Sequence, residues 1–263
     1  MHILLTNDDG IDAPGLRALE RQLQRLGTVD VVAPLTEQSG VGHAITYLTP
    51  LMVRKVFDHD VQRGWAVEGS PADCVKIAVA ELCSQRPDLV VSGINSGQNA
   101  GINVLYSGTV AAAIEGAFFG ITSIAVSLEY DERQRFDEAA ALAASLIGQI
   151  LAQKDASSRL YNLNIPLAAL DGPADVAVAP MCVAPWGEDF EARRDPRGRT
   201  YYWARGTQPV SAEGEPTDLA QLRRGCITLT PLKFDMTAHD HLATMRSWRF
   251  DAPAHRPPVE HAP

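Results

Sequence analysis

The stretch that most constrains this chain is residues 2–10, His-Ile-Leu-Leu-Thr-Asn-Asp-Asp-Gly. The apolar run Ile3 to Leu5 breaks into Asn7-Asp8-Asp9-Gly10 with almost no polar spacer, the pattern of a buried parallel strand ending in a turn. Pro14 and the apolar positions Leu16, Leu19, Leu23 and Leu26 then open an amphipathic helix. Two adjacent carboxylates therefore sit on a strand-to-helix turn, at the edge where open α/β sheets bind their ligands. Neighbouring carboxylates raise each other's pKa unless a cation neutralises them. The plain alternative is a solvated Asx turn with Asp9 capping the helix. The chemical alternative is half of a metal site.

A chain of 263 residues holds one large α/β domain, or one domain with an appendage. Its 46% hydrophobic and 21% charged residues are those of a globular protein, and a net charge of −9 argues against binding a nucleic-acid polymer. The opening reads as a strand rather than a signal peptide, and no apolar run approaches membrane-spanning length. Cys74, Cys83, Cys182 and Cys226 are scattered without a CxxC pair. The expectation is a cytoplasmic protein with reduced thiols and no membrane partner.

Val29 to Ala33 reads as a second strand, followed by the polar loop Thr36 to His43 that carries Ser39 and Gly40. Alternation from Ala44 to Val56, and again at Trp65 to Val67, predicts short antiparallel strands. A helix is expected from Pro71 through Cys83, with Ser70 as its N-cap and Asp73 in its first turn. Asp88 to Val91 is a third parallel strand. Residues 92–103 repeat Gly93, Gly97 and Gly101 alongside Asn95, Asn99 and Asn103. Three glycines disfavour a helix there, and a packed loop presenting amides is expected. Ser107-Gly108-Thr109 precedes an alanine-rich helix whose N-terminus offers an anion site; plain N-capping by either hydroxyl is the alternative. Strands at Ile121 to Ser127, Tyr161 to Pro166 and Val176 to Val178 and a helix from Asp137 to Lys154 complete a core. Beyond Trp186 a β-hairpin is expected, with Phe190, Tyr201, Tyr202 and Trp203 suited to pack on a partner chain. Thr217-Asp218 caps a short helix, Cys226 to Thr230 returns as a strand, and 235–241 forms a short polar segment. The expected division is a Rossmann-like α/β catalytic core over 1–185, hairpin and C-terminal oligomerisation elements over 186–250, and a disordered tail over 251–263.

Asp8, Asp9, Ser39 and Asn95 all follow parallel strands, so one carboxyl edge would collect them. All four are oxygen donors. That set suits one hard divalent ion per subunit, Mg²⁺ or Mn²⁺ with Ca²⁺ admissible, and disfavours zinc or copper. A metal beside the anion site at Ser107 to Thr109 is the constellation for metal-assisted phosphoryl hydrolysis. His43, in the Ser39 loop, is the candidate general acid or substrate contact.

Leu4 to Gly10, the Val31 to Gly40 strand and loop, Gly69 to Val75, Val91 to Gly97 and Tyr106 to Val110 together resemble the SurE (survival protein E) family. The resemblance runs to about residue 240. It implies a metal-dependent nucleotidase acting on nucleoside 5′- and 3′-monophosphates, with metal ligation by Asp8, Asp9, Ser39 and Asn95. It also implies phosphate contacts from Ser107, Gly108, Thr109 and Asn99, and a homodimer or homotetramer with exchanged C-terminal elements. Two rivals stand beside it. One is a phosphatase with an aspartyl-phosphate intermediate, whose carboxylates usually come as Asp-x-Asp rather than as an adjacent pair. The other is a nucleotide-sensing module that binds without turnover.

Overall fold

β1 (His2–Thr6) is buried along its whole length, with Ile3 and Leu5 entering one core cluster and Leu4 another. A strand buried on both faces needs helices on both, and the chain supplies them. The computed structural model describes residues 1–130, 132–157, 159–184, 187–207 and 216–250. Met1–Leu232 forms one compact unit, and the chain from Lys233 onward a second.

In chain order, β1 leads through α1 (Pro14–Leu23) to β2 (Thr28–Pro34), β3 (Met52–Asp58) and β4 (Val61–Glu68). α2 (Pro71–Ile77) runs into a π-helical turn, Ala78–Leu82, and then β5 (Leu89–Ser96). A 3₁₀ turn, Gly101–Leu105, precedes α3 (Gly108–Phe118), β6 (Thr122–Leu128), α4 (Phe136–Gln153), β7 (Leu160–Ile165), α5 (Ala168–Asp171) and β8 (Val176–Val178). The hairpin β9 (Gly187–Arg194) and β10 (Thr200–Thr207) forms its own two-stranded sheet. α6 (Asp218–Arg223), capped by Thr217, leads to β11 (Ile227–Leu232), which rejoins the main sheet.

The main sheet has the order β3-β4-β2-β1-β5-β6-β7-β11-β8. Its centre is parallel throughout, from β4 across to β7, while β3 and β11 enter antiparallel to their neighbours β4 and β7. α1 and α4 cover one face and α2 and α3 the other. After β1 the chain winds first toward β2 and then crosses back to β5, so β1 and β5 are neighbours at the point where winding reverses. That switch point opens a crevice beyond the strand ends.

Three expectations change. Ala44 to Leu51 is not strand: Pro50 has no N–H for a ladder, Tyr47 and Leu48 are exposed, and the Thr46 N–H goes to Asp73 instead (2.9 Å). β5 continues to Ser96, past the expected loop start, through a register irregularity between Ser92 and Asn95. A side chain at Gly93 would lie 2.3 Å from the Val126 carbonyl oxygen, so glycine is what allows the strand to stay paired there. The expected helix through Cys83 ends as α-helix at Ile77 and finishes as the π-helical turn.

Within the second unit, α7 (His239–Met245) forms where only a polar segment was expected. It buries no residue, so there was no apolar stripe to read, and His239 Nε2 lies 2.7 Å from Asp235 Oδ2 one turn before it. Trp186, the start of the expected appendage, and the tail over 251–263 lie outside the described residues. No helix among the described residues is long and apolar enough to cross a membrane.

Candidate active site

The turn after β1 is closed by Asn7, whose side chain donates to the Gly10 carbonyl (2.9 Å) and accepts from the Gly10 N–H (3.2 Å). Asp9 does not cap α1, whose N-cap position is Ala13 without a side-chain bond. The Asx chemistry thus belongs to Asn7, and both carboxylates are left for another role.

Asp8 is 4% exposed, and its carboxylate faces the head of α3. Thr109 Oγ1 donates to its Oδ1, and the Thr109 N–H also bonds to it. A Cβ at Gly108 would lie 2.9 Å from the Asp8 Cβ and 3.1 Å from its Oδ2, so glycine is what lets the helix start approach this closely. The anion seated at the N-terminus of α3 is therefore Asp8 itself. Ser107 caps the helix by accepting from the Val110 N–H (3.1 Å).

Burial raises the Asp8 pKa above the usual carboxylate value; the Thr109 bonds pull it back, and Glu37 adds to the rise. Asp9 is pushed up to about 6, first by burial and then by the Asp8 charge, against a lowering bond from the Ser96 backbone. No basic side chain contributes to either shift. Two partly desolvated carboxylates without a counter-charge make a strong cation site.

The loop after β2 is brought to this turn by the backbone, with Gln38 N–H donating to the Asp8 carbonyl (2.7 Å) and Gly42 N–H to the Tyr106 carbonyl (3.0 Å). Ser39 is exposed, and its hydroxyl donates to Glu37 Oε1 (2.6 Å). Asn95 gives its amide nitrogen to the Gly97 carbonyl (2.7 Å), which orients the amide and leaves its oxygen as the acceptor. Asn99 is fixed on three sides: its N–H donates to Asn164, its Nδ2 to Ser127, and its carbonyl accepts from Asn162 and Asn164.

A cavity of about 200 Å³ opens among Asp8, Ser39, Gly40, Asn95, Ser96, Asn99, Asn103, Tyr106 and Ser107. It gathers three of the four expected metal ligands, Asp8, Ser39 and Asn95, and two of the expected phosphate contacts, Asn99 and Ser107. Asp9 stands beside Asp8 in the turn, while Gly108 and Thr109 contact Asp8 rather than line the hollow. His43 is not part of it. Its Nε2 lies 2.8 Å from Glu115 Oε2, and its ring stacks on Phe118. Asn103 and Tyr106 are lining residues that sequence reasoning did not assign. The signal was the four-residue recurrence of asparagine, because Asn95, Asn99 and Asn103 reach one hollow from a strand, a loop and a 3₁₀ turn. Larger hollows of about 380 and 550 Å³ lie elsewhere on the first unit; the first is mainly apolar, and the second sets Glu20 and Asp58 among Arg17, Arg21 and Arg63, so its acids are compensated.

The family model described as Survival protein SurE matches residues 3–188. The chain belongs to the SurE family. A 5′-nucleotidase SurE of Rhodopirellula baltica is 59% identical over 249 residues, covering 94% of this chain and 98% of that protein. The 5′-nucleotidase SurE of Maridesulfovibrio salexigens is 44% identical over 246 residues, covering 93% and 98%. The crystal structure of a SurE protein from Aquifex aeolicus aligns with a TM-score of 0.81 at 35% identity, over 94% of this chain and 98% of that one. The SurE match spans the switch-point crevice with all of its lining residues.

Proposed function

We propose that this chain is a metal-dependent nucleotidase that hydrolyses nucleoside 5′-monophosphates, and 3′-monophosphates as well, to nucleoside and phosphate. The observation that carries the reading is the uncompensated carboxylate pair Asp8–Asp9 at the switch point, beside a small amide-lined hollow. Its SurE relatives carry the name 5′-nucleotidase.

The donors that would hold the ion are Asp8, Asp9, Ser39 and Asn95. They fit a hard divalent cation, Mg²⁺ or Mn²⁺, because every donor is oxygen and the charge is negative. When bound, such an ion supplies a Lewis acid for phosphoryl oxygen and acidifies an adjacent water. Asp8 is committed to Thr109 through Oδ1, so Asp9, the more open of the two, is the carboxylate that takes the proton of the attacking water. Asn99, Asn103 and Ser107 surround the phosphoryl group, and Asn99 and Ser107, held by their own hydrogen bonds, meet it without reorganisation. A hollow of about 200 Å³ accommodates phosphate, whereas a whole small-molecule ligand needs at least ~300 Å³. The nucleoside therefore extends outward past exposed Tyr106.

The exposed aromatics Phe190, Tyr202 and Trp203 on the hairpin support assembly into a homodimer or homotetramer through the C-terminal region, and the setting is read as cytoplasmic. The deciding experiment is phosphate release from AMP with Mn²⁺ present and with EDTA. Metal-dependent release supports the nucleotidase reading. Nucleotide binding without release would make the chain a sensor, and a trapped phosphoenzyme would make Asp8 or Asp9 a nucleophile.

A further inference from the structure

At the other end of the same strands lies a second cluster of ligand-type side chains. β1 runs from His2 to Thr6, a rise of roughly 13 Å at about 3.3 Å per residue, and Asp8 lies beyond its far end in the turn. His2 shares its sheet face with Leu4, and Asp30 shares it with Val32, by the two-residue alternation of β1 and β2. Leu4 and Val32 belong to the cluster against which Cys83 packs from the end of the π-helical turn. Three side chains distant in sequence thus reach one spot at the amino-terminal edge. One ligand atom from each of His2, Asp30 and Cys83 lies within 4.8 Å of the other two, and this is the one such group of His, Cys, Asp and Glu among the described residues.

We propose that His2, Asp30 and Cys83 form a second metal site, selective for zinc-type ions, that clamps β1, β2 and the approach to β5 at the edge opposite the active site. The donor set is nitrogen, oxygen and sulfur, which matches Zn²⁺ and rejects Mg²⁺. His2 Nε2 lies 2.7 Å from Asp30 Oδ2, and the imidazole is almost wholly enclosed, with a side chain 1% exposed. Its Nδ1 is buried without a hydrogen-bond partner. An enclosed imidazole nitrogen against a carboxylate, with a thiol within reach of both, is a three-donor pocket that an ion in place of the shared proton would bridge. The backbone holds His2 in place from both sides, its N–H donating to Asp88 Oδ2 and its carbonyl accepting from the Asp88 N–H, both at 2.8 Å. Asp30 and Cys83 are only partly buried, which leaves an entry path and room for a fourth, water ligand. Without a cation the thiol is a neutral donor to Asp30, since burial and that carboxylate push it up to about 12; a bound ion stabilises the thiolate instead.

The test is titration of the metal-free full chain with Co²⁺, read as a thiolate-to-cobalt charge-transfer band in the near ultraviolet. The parent and Asp9→Asn should develop the band to one equivalent, and Zn²⁺ should displace it. Cys83→Ser and His2→Gln should lose it, with Cys83→Ser retaining its far-ultraviolet circular dichroism and Mn²⁺-supported phosphate release. One equivalent of Zn²⁺ should raise the melting temperature of Asp9→Asn but not that of the double variant Asp9→Asn/Cys83→Ser. A parent without the band, or a band that survives in Cys83→Ser, would overturn the site and leave His2–Asp30 a simple ion pair.

Discussion

Thr109 directs both its hydroxyl and its backbone N–H at Asp8, so the first turn of α3 serves as a clasp for a carboxylate on the turn after β1. The sequence alone pointed that helix start at a phosphate. In the fold, the Thr109 hydroxyl and N–H are directed at the chain's own anion, Asp8.

Thr109→Val should therefore weaken metal binding as well as turnover. Hydrogen bonds to charged groups contribute about 1.5–3 kcal/mol, which corresponds to roughly a tenfold to hundredfold loss of Mn²⁺ affinity. Calorimetric titration with Mn²⁺ checks this, and unchanged affinity with weaker inorganic-phosphate binding would return Thr109 to the phosphate.

Gly108→Ala should cost activity without unfolding the chain. The new methyl meets Asp8 at 2.9–3.1 Å, closer than ordinary contact, and moves the carboxylate out of its clasp. Phosphate release should fall at least tenfold while circular dichroism stays parental.

Asp9→Asn should be inactive yet more stable than the parent when metal is absent. The folded pKa of Asp9 is raised from 3.8 to about 6, so the folded state holds the proton more tightly than the unfolded state. Its charged form thus destabilises the fold: stability falls as pH rises from about 4 to about 6, and the deficit persists above. The variant's advantage in melting temperature should be present near pH 7 and vanish below pH 4, with Mn²⁺ giving it a smaller upward shift than the parent receives. Parental turnover in this variant would remove Asp9 from the chemistry.

Complete chelation by EDTA should abolish phosphate release, and Mn²⁺ or Mg²⁺ should restore it, because the proposed donors are all oxygen. Activity that persists in EDTA would contradict the reading of Asp8, Asp9, Ser39 and Asn95 as ligands.

His43→Gln should keep turnover within about tenfold, below the roughly 10²–10⁴-fold that a general acid usually contributes. The imidazole is directed at buried Glu115, which also receives Lys76 at 3.3 Å. Lower thermal stability with near-parental kcat is the expected result, and a much larger fall in kcat would reinstate His43 as an acid.

Apolar runs ending in Asn, Asp, Ser or Gly made the parallel strands legible, and with them the edge on which Asp8, Asp9, Ser39 and Asn95 meet. Periodicity also marked α4 and the capped starts of α2 and α3. What escaped were features set by tertiary partners. Nothing local to Thr109 reveals that its donors are matched to a carboxylate 101 positions earlier, and nothing local to His43 reveals Glu115. Ala44 to Leu51 alternates like a strand, but the Thr46 N–H has Asp73 as a partner and Pro50 interrupts any ladder. α7 carries no buried stripe for a pattern to show.

The separation of 101 residues between Asp8 and Thr109 also sets an order of events at the ribosome. At about 5–20 residues per second, the carboxylate pair emerges roughly 5–20 s before the residue that clasps it. For most of that interval the nascent chain carries Asp8 and Asp9 but neither Asn95 nor Thr109. The centre is therefore completed during synthesis only after α3 has been made, and β1 with its carboxylates waits as an unfinished half-site until then.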